Sequence, residues 1–293
     1  MKTNNLIIGL IATIAFTSCG GSGSKNAKPI SDVAESTVSQ SGKPLNISIF
    51  LDLSDRLKRD LSPSQKERDL AIVGHIADYF RAQTVGPKIL KSRNNIKVFF
   101  YPAPNSSDIA TLAEELSIDI TKFNGVERRV VLDGDANQGK PSLRERFNKN
   151  LSAIYDKTLA ANQWPGCDIW DFFSNKNVDI QCIREGFRNI LVILTDGYLF
   201  DEKHKVKDGD AYSYVTPATL KNPNTSLIVK RTGLESLEVR ILEVNPTDIN
   251  HRDRLKNVLE NWLKGMGVKE GNITVSQTDL PSNTQTIVDS FLN

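Results

Sequence analysis

The chain has 293 residues, of which 39% are hydrophobic and 25% are charged, and this composition is that of an ordinary globular protein with one large domain or two small ones. The formal net charge is only +2. A charge this close to zero lacks the basic footprint of a nucleic-acid-binding protein, so we expect no nucleic-acid partner.

The N-terminus has the features of an export signal. Met1 and Lys2 precede an apolar stretch over residues 6–16, which is too short to span a bilayer as a permanent helix. The stretch ends in Thr17-Ser18-Cys19, which resembles the lipobox of bacterial lipoproteins, although Phe16 stands where that box usually has Leu. The resemblance implies a signal peptide over residues 1–19 and a lipid on Cys19. The alternative is an ordinary signal peptide with a chance cysteine.

Residues 20–43 predict a flexible tether, because they are rich in Gly, Ser and Lys and have no apolar period. A chain of this length and composition has a root-mean-square reach of about 25–30 Å. No acidic run follows Cys19. In similar lipoproteins of the Bacteroides type such a run marks export to the cell surface, so we expect an outer membrane lipoprotein that faces the periplasm.

Beyond the tether, strands alternate with helices. Strands are predicted at 46–52, 96–101, 127–132, 189–195, 237–244 and 273–277. Helices are predicted from 62–64 through 80 and at 108–116, 141–161, 178–187, 248–266 and 281–292, and a polar connection covers 200–233. This alternation predicts one α/β domain over residues 44–293, with a doubly wound (Rossmann-like), mainly parallel sheet and helices on both faces.

Two of the predicted strands end on carboxylates. The first runs into Asp52-Leu-Ser54-Asp55, and the fourth runs into Thr195-Asp196-Gly197. Doubly wound proteins bind ligands where the carboxyl ends of their strands meet, so we predict that Asp52 and Asp196 are neighbours although about 140 residues separate them. The sequence therefore predicts a binding site at this edge more clearly than a catalytic one.

The pattern resembles the von Willebrand factor A domain over most of residues 45–293 in element order. That family builds a metal-ion-dependent adhesion site from an Asp-x-Ser-x-Ser loop, a Thr in a second loop, and an Asp in a Thr-Asp-Gly sequence. The three places hold Asp52-Leu-Ser54-Asp55-Arg56, Pro165-Gly166-Cys167-Asp168-Ile169 and Thr195-Asp196-Gly197. The resemblance implies that the ligand-binding residues are Asp52, Ser54, Asp55, Arg56, Cys167, Asp168, Thr195, Asp196 and Gly197.

Because the sequence departs from the family pattern at two positions, it does not decide whether the site binds a metal ion. Only Asp52, Ser54 and Asp196 are retained as ligands, because Arg56 replaces the second Ser and Cys167 replaces the Thr. Two carboxylates and a hydroxyl can hold Mg²⁺ or Ca²⁺ with waters, but sulfur is a poor ligand for these ions. An inward-pointing Arg56 would repel a cation or pair with the carboxylates in its place. The alternative is a metal-free edge at which the two Asp residues only end strands and cap loops.

The remaining motifs provide no evidence for a nucleotide site or a catalytic site, and they leave the state of two cysteines undecided. Cys167 and Cys182 can form a disulfide in an oxidising periplasm or remain two buried free thiols. Residues 134–141 nearly match a P-loop, but Pro141 replaces the required hydroxyl, so we expect no nucleotide. The sequence contains neither a Gly-x-Ser-x-Gly elbow nor a His pair at ligand spacing. No catalytic residue is identified.

The leading hypothesis is a membrane-tethered binding module of the bacterial cell envelope. It would recognise an envelope protein or peptide through the loops at the carboxyl edge, with or without a divalent cation, and would not be an enzyme. One alternative is a hydrolase in which the same carboxylates hold a metal that activates water. Another is a structural envelope protein with a metal-free site.

Overall fold

A six-stranded sheet lies at the centre of the computed structural model, which describes residues 42–86, 89–199, 206–208, 211–213, 220–221, 225, 227–246 and 252–292. The predicted signal peptide, Cys19 and nearly all of the predicted tether lie outside these residues. The strands are β1 (Leu45–Leu51), β2 (Asn95–Phe99), β3 (Ser117–Asp119), β4 (Arg188–Leu194), β5 (Val206–Asp208), β6 (Ala211–Ser213), β7 (Leu237–Val244) and β8 (Ile273–Gln277).

The strand order across the sheet is β3-β2-β1-β4-β7-β8. Strand β3 is antiparallel to β2, and the other neighbours are parallel. Every residue of β1 and β7 is buried, as expected for strands that are covered on both faces. The predicted doubly wound, mainly parallel α/β fold is confirmed. Strands β5 and β6 form a separate antiparallel pair.

Helices cover both faces of the sheet. They are α1 (Gln65–Thr84), α2 (Ser107–Glu114), α3 (Gly125–Asp133), α4 (Leu143–Ala161), α5 (Ile169–Ser174), α6 (Asn177–Cys182), α7 (Arg252–Met266) and α8 (Pro281–Leu292). Side chains alternate along a strand, so Ile47 and Ile49 of β1 pack with α1, α2, α4 and α8. Phe50 points to the other face and packs with α5, α6 and α7.

The long helices begin where their sequences provide caps. In α1 the Ser64 side chain accepts from the backbone of Glu67, whose carboxylate accepts from Ser64 in return, and Ser142 and Glu145 form the same capping box in α4. Reciprocal bonds of this kind satisfy N–H groups that a helix start leaves without partners. Both helices then place their buried residues against the sheet.

The prediction of a strand at 127–132 is wrong, because this stretch lies within helix α3. The Asn124 side chain accepts from the backbone of Glu127, and Glu127 accepts from Asn124. This capping box starts a helix in spite of the β-branched residues Val130 and Val131 that follow it. The predicted helix over 178–187 is also too long: α6 ends at Cys182, and the unpredicted α5 precedes it.

The described residues fall within one compact unit, Gln40–Asn293. Both hydrophobic clusters consist of residues of this unit. In the described ranges, no helix combines the length and the apolar character needed to cross a bilayer.

Candidate functional site

The loops after β1 and β4 meet at the carboxyl edge of the sheet. The two strands pair in parallel up to Leu51 and Leu194, and the backbone N–H of Asp52 donates to the Leu194 carbonyl over 3.0 Å. The Thr195 hydroxyl donates to Asp52 Oδ2 over 2.8 Å. Because the strand order changes direction between β1 and β4, this junction is the topological switch point. The prediction that these two loops are neighbours is confirmed.

Asp52 is buried and held by its own loop. Its Oδ1 accepts from the backbone N–H of Ser54 over 2.8 Å. The Arg56 Nε donates to the Asp52 backbone carbonyl over 3.1 Å and lies 3.7 Å from Asp52 Oδ2. The Ser54 hydroxyl caps the short 3-10 turn Asp55–Lys58, and Asp55 is exposed on that turn. Both carboxylate oxygens of Asp52 are therefore engaged within the protein.

Arg56 points into the interior and forms a buried ion pair with Asp69 of α1. The Nη2–Oδ2 distance is 2.6 Å, and the two side chains are 1% and 0% exposed. The Tyr155 hydroxyl and the Gln65 amide donate to the same carboxylate. Burial opposes the charge on Arg56, but Asp69 and Asp52 outweigh it and raise the pKa of Arg56. The guanidinium of Arg56 therefore stays charged at any ordinary pH.

Glu243 adds another buried carboxylate. It has a φ of 64° next to the bulge at which the register of β7 and β8 shifts. Its Oε1 accepts from the Thr284 hydroxyl over 3.1 Å, and its Oε2 lies 3.6 Å from Nη1 of Arg68. Burial and then Asp69 raise the pKa of Glu243, whereas Arg68 lowers it. The carboxyl edge thus combines the carboxylates of Asp52, Asp69, Asp196 and Glu243 with the guanidinium groups of Arg56, Arg59 and Arg68.

The ion pair of Arg59 and Asp196 is the solvent-facing part of this cluster. Arg59 Nη2 lies 2.7 Å from Asp196 Oδ2, and the side chains are 23% and 10% exposed. Arg59 Nη1 also donates to the Asn245 carbonyl. Burial and then Asp52 raise the pKa of Asp196 to about 6, while Arg59 and Arg56 lower it. The charge of Asp196 therefore changes in the mildly acidic range.

Gly197 is required by the turn that carries Asp196. Its φ is +99°, and a Cβ atom there would lie 2.8 Å from Val244 Cγ1. A side chain at this position would therefore be strained and would collide with β7. Each residue of the motif Thr195-Asp196-Gly197 therefore has a structural role. Thr195 donates a hydrogen bond to Asp52, Asp196 pairs with Arg59, and Gly197 allows the tight turn.

The second loop of the resemblance joins the first through the backbone. The N–H of Gly166 donates to the Leu53 carbonyl over 3.4 Å. Cys167 is buried, and burial followed by Asp52 raises the pKa of its thiol well above its usual value. The Asp168 carboxylate accepts from the backbone of Asp171 and caps α5. All three predicted loops therefore meet at one edge, with Cys167 facing the carboxylates and Asp168 positioned as a helix cap.

The suggested disulfide between Cys167 and Cys182 is not formed, because both cysteines are free and buried. Cys167 follows the residue that bridges to Leu53 at the carboxyl end of β1. The Cys182 carbonyl accepts from Asn46 at the amino end of that strand. The strand between these contacts is about 20 Å long, far beyond the roughly 7 Å that separates the Cα atoms of a disulfide.

The predicted metal ligands meet but, as arranged, do not fit a divalent cation. Both oxygens of Asp52 accept hydrogen bonds, Ser54 Oγ caps a turn, and Asp196 Oδ2 pairs with a guanidinium. Within the part of the chain that the structure describes, no group of three His, Cys, Asp or Glu side chains is arranged to hold a metal. Arginine side chains supply the positive charge that a cation would bring.

Sequence motifs did not indicate Asp69, Glu243 or Arg59. Asp69 had one usable signal, because it lies on the apolar stripe of α1 four residues before Val73 and seven before Ile76, so an acidic group there must be paired. Glu243 occurs in a run whose sequence is typical of a regular strand. The bulge beside it, which the sequence does not indicate, turns its side chain towards the cluster. Arg59 lies just beyond the motif, and its partner is 137 residues away.

No protein-family model matches this chain, and no curated protein matches it either. Among solved structures it is similar to an aerotolerance-related membrane protein from Bacteroides fragilis carrying multiple mutations to serine (12% identity, TM-score 0.36, 85% of this chain and 98% of that one). It is also similar to the conserved hypothetical protein BatB from Bacteroides thetaiotaomicron (12% identity, TM-score 0.39, 84% of this chain and 96% of that one). A third similar structure is the pilus adhesin SpaC from Lactobacillus rhamnosus GG in an open conformation (12% identity, TM-score 0.41, 86% of this chain and 30% of that one).

Proposed function

We propose that this protein is a membrane-tethered binding module of the cell envelope, and that a protein or peptide docks on its carboxyl-edge loops without a metal ion. The observation that carries the proposal is the ion pair of Arg59 and Asp196. It presents a guanidinium and a carboxylate at the switch point where doubly wound proteins bind ligands. A partner with complementary charges can pair with both groups, and such complementarity gives specificity.

Rigid support of the pair favours recognition. Asp196 follows a fully hydrogen-bonded strand, its turn requires Gly197, and the neighbouring Thr195 is bonded to Asp52. Arg59 follows a 3-10 turn whose Arg56 is fixed by Asp69. Groups held in this way lose little conformational entropy when a ligand binds.

The envelope location rests on the N-terminal sequence. An apolar leader that ends in Thr17-Ser18-Cys19 resembles a lipobox, and residues 20–43 have the composition of a flexible tether. We propose that Cys19 carries the lipid and that the protein is held at the outer membrane, facing the periplasm. By resemblance to the von Willebrand factor A domain, the ligand surface is the edge with a degenerate adhesion site, where arginine replaces the metal.

The experiment compares proteins captured from an envelope extract by wild type, by Asp196→Ala and by Asp156→Ala. Asp156 is a matched control, because it is an exposed carboxylate that pairs with Lys66 and not with Arg59. We expect a partner that wild type and Asp156→Ala retain, that Asp196→Ala loses, and that a chelator does not release. Circular dichroism confirms that each variant is folded. A partner retained equally by Asp196→Ala contradicts the site.

A second candidate is a structural envelope protein that binds nothing at this edge. The observation in its favour is the buried pair of Arg56 and Asp69, which compensates charge within the fold without any ligand. Under this function, Asp196→Ala and Asp156→Ala capture the same proteins, and only the stability of Asp196→Ala changes. The hydrolase is not favoured, because the carboxylates that would hold its metal are paired with arginine.

A further inference from the structure

The opposite edge of the sheet carries an exposed apolar surface. Leu90 and Val126 are 69% and 77% exposed. They lie next to each other, since a Cβ atom built on Gly125 would be 2.6 Å from Leu90 Cδ2. Both line a groove of about 520 Å³ together with Ile89, Arg129, Val130, Gly134 and Asp135. We call these residues, together with the nearby basic residues Lys91, Arg93, Lys122 and Arg128, the amino-edge patch.

The amino-edge patch is rigid, although part of it lies in a loop. Nη1 of Arg128 donates to the carbonyls of Ile89, Leu90 and Ser92, at 2.6, 2.8 and 3.2 Å. Nε of Arg128 donates to the Phe123 carbonyl over 2.9 Å. One guanidinium therefore fixes the loop before β2 against the start of α3, and the exposed side chains are held in place rather than folded inward.

The patch lies where the chain enters the domain. The backbone N–H of Leu45, the first residue of β1, donates to the Asn94 side chain over 2.9 Å. Asn46 pairs with Asn95 at the amino ends of the two strands. Leu90 precedes this contact by four residues, so the patch adjoins the point at which residues 20–43 join the fold. The candidate site is at the other end of β1, about 20 Å away.

The charge of the patch complements an anionic surface. Residues 89–94 and 120–135, which include every lining residue of the groove, contain five basic side chains and three acidic ones: Lys91, Arg93, Lys122, Arg128, Arg129, Glu127, Asp133 and Asp135. Asp133 is paired with Arg81, and the balance of the patch remains positive. Exposed apolar side chains among basic residues are typical of surfaces that bind the interface of a bilayer, where basic groups are attracted to anionic lipids.

We propose that the amino-edge patch contacts the surface of the bilayer, with anionic lipid headgroups as its ligand. The proposal rests on the lipid anchor of the proposed function for its location in the cell. A tether keeps the patch at high local concentration beside the membrane, so weak intrinsic affinity is enough for contact. With this edge on the bilayer, the ion pair of Arg59 and Asp196 faces away from the membrane and towards partners.

The test uses residues 20–293, which include the whole compact unit and lack the apolar leader. Co-sedimentation with phosphatidylcholine vesicles is compared with vesicles that contain about one third phosphatidylglycerol. We expect binding to the anionic vesicles that falls with added salt, and roughly tenfold weaker binding by the double variant Leu90→Asp and Val126→Asp. Leu280→Asp is the matched control, because Leu280 is also exposed, at 64%, and we expect it to bind like wild type.

Three results would overturn the proposal. The first is the absence of binding to anionic vesicles, and the second is equal binding by wild type and the double variant. The third is self-association of wild type that the double variant abolishes, which would assign the patch to a second copy of the chain. Incorporation of labelled palmitate at Cys19 is measured separately in the full chain, so failure of the anchor and failure of the patch are distinguishable.

Discussion

Thr195 Oγ1 donates a hydrogen bond to Asp52 Oδ2 over 2.8 Å and so joins residues that are 143 positions apart in the chain. Thr195 is fully buried and Asp52 is 2% exposed. The bond fixes the carboxylate that ends β1 relative to the loop that follows β4. It is the most direct side-chain link between the two halves of the candidate site.

Replacing Thr195 with Val removes this bond but preserves the shape of the side chain. We expect the free energy of unfolding to fall by about 1–3 kcal/mol, because one buried carboxylate oxygen loses its hydroxyl donor. Urea denaturation followed by circular dichroism measures the change. Thr195→Ser keeps the hydroxyl and should lose less. Equal stability of Thr195→Val and wild type would show that the bond contributes nothing.

Asp69→Asn removes the closer of the two carboxylates that pair with the buried guanidinium of Arg56 and leaves only Asp52. We expect a loss of about 3–5 kcal/mol in the free energy of unfolding, the cost typical of breaking a buried pair by removing one partner. The control is Lys66→Met, which breaks the partly exposed pair with Asp156 and should cost less than about 1 kcal/mol. Similar losses for the two variants, measured by urea denaturation, would contradict the assigned role of Asp69.

Arg59→Ala should allow the carboxyl edge to bind a divalent cation. The guanidinium of Arg59 pairs with Asp196 Oδ2, and its removal leaves this carboxylate beside Asp52 with less positive charge nearby. We expect Mn²⁺ to bind the variant with a Kd of roughly 10⁻⁴–10⁻³ M and wild type more weakly, as measured by electron paramagnetic resonance of the free ion. Adding Asp196→Asn should abolish the gain. Equally tight binding by wild type would show that Arg59 does not exclude the cation.

The pH dependence of stability should contain a contribution from Asp196. Burial raises its pKa from the ordinary value of 3.8 to about 6 in the folded protein. Between these values the folded state binds more protons than the unfolded state, so the contribution of Asp196 to stability falls as pH rises. We expect the free energy of unfolding of Asp196→Asn, relative to wild type, to increase from about pH 4 to about pH 6.5 and then level off. A difference that is constant with pH, in urea titrations, would contradict the raised pKa.

The two cysteines of residues 20–293 should be unreactive until the protein unfolds. Burial raises the pKa of Cys182 to about 12 and that of Cys167 well above its usual value, so little thiolate is present near pH 8 and it is poorly accessible. We expect dithionitrobenzoate to label neither thiol rapidly in the native protein and to label both after unfolding without reductant. Failure to detect thiols in the unfolded protein would indicate a disulfide.

The sheet was largely predictable because its strands and main helices have strong local signals. The bounds of β7, β8 and α8 match the predicted ranges, since apolar runs and a proline mark them. The convergence of Asp52 and Asp196 followed from strand polarity alone. The strand prediction failed for α3, because the stretch contains Val130 and Val131 but the capping box of Asn124 and Glu127 starts a helix there.

The charges around the site were not predictable from the motifs, because they depend on tertiary contacts. Arg56 turned inward to Asp69 only because α1 returns over β1, and Glu243 entered the cluster through a bulge in β7. The role of Arg59 depends on a partner in another loop. The resemblance to a metal site thus indicated which loops meet at this edge but did not reveal that guanidinium groups pair with its carboxylates.

The position of β1 in the middle of the sheet has a mechanical consequence. Its hydrogen bonds to β2 and β4 run side by side along nearly its whole length, and both neighbours are parallel to it. With the proposed anchor and partner in place, a pull through the residues before Leu45 that is resisted at Asp196 acts along the axis of this strand. The ladder between β1 and β4 is then loaded in shear, so many of its hydrogen bonds must break together before the strand can move.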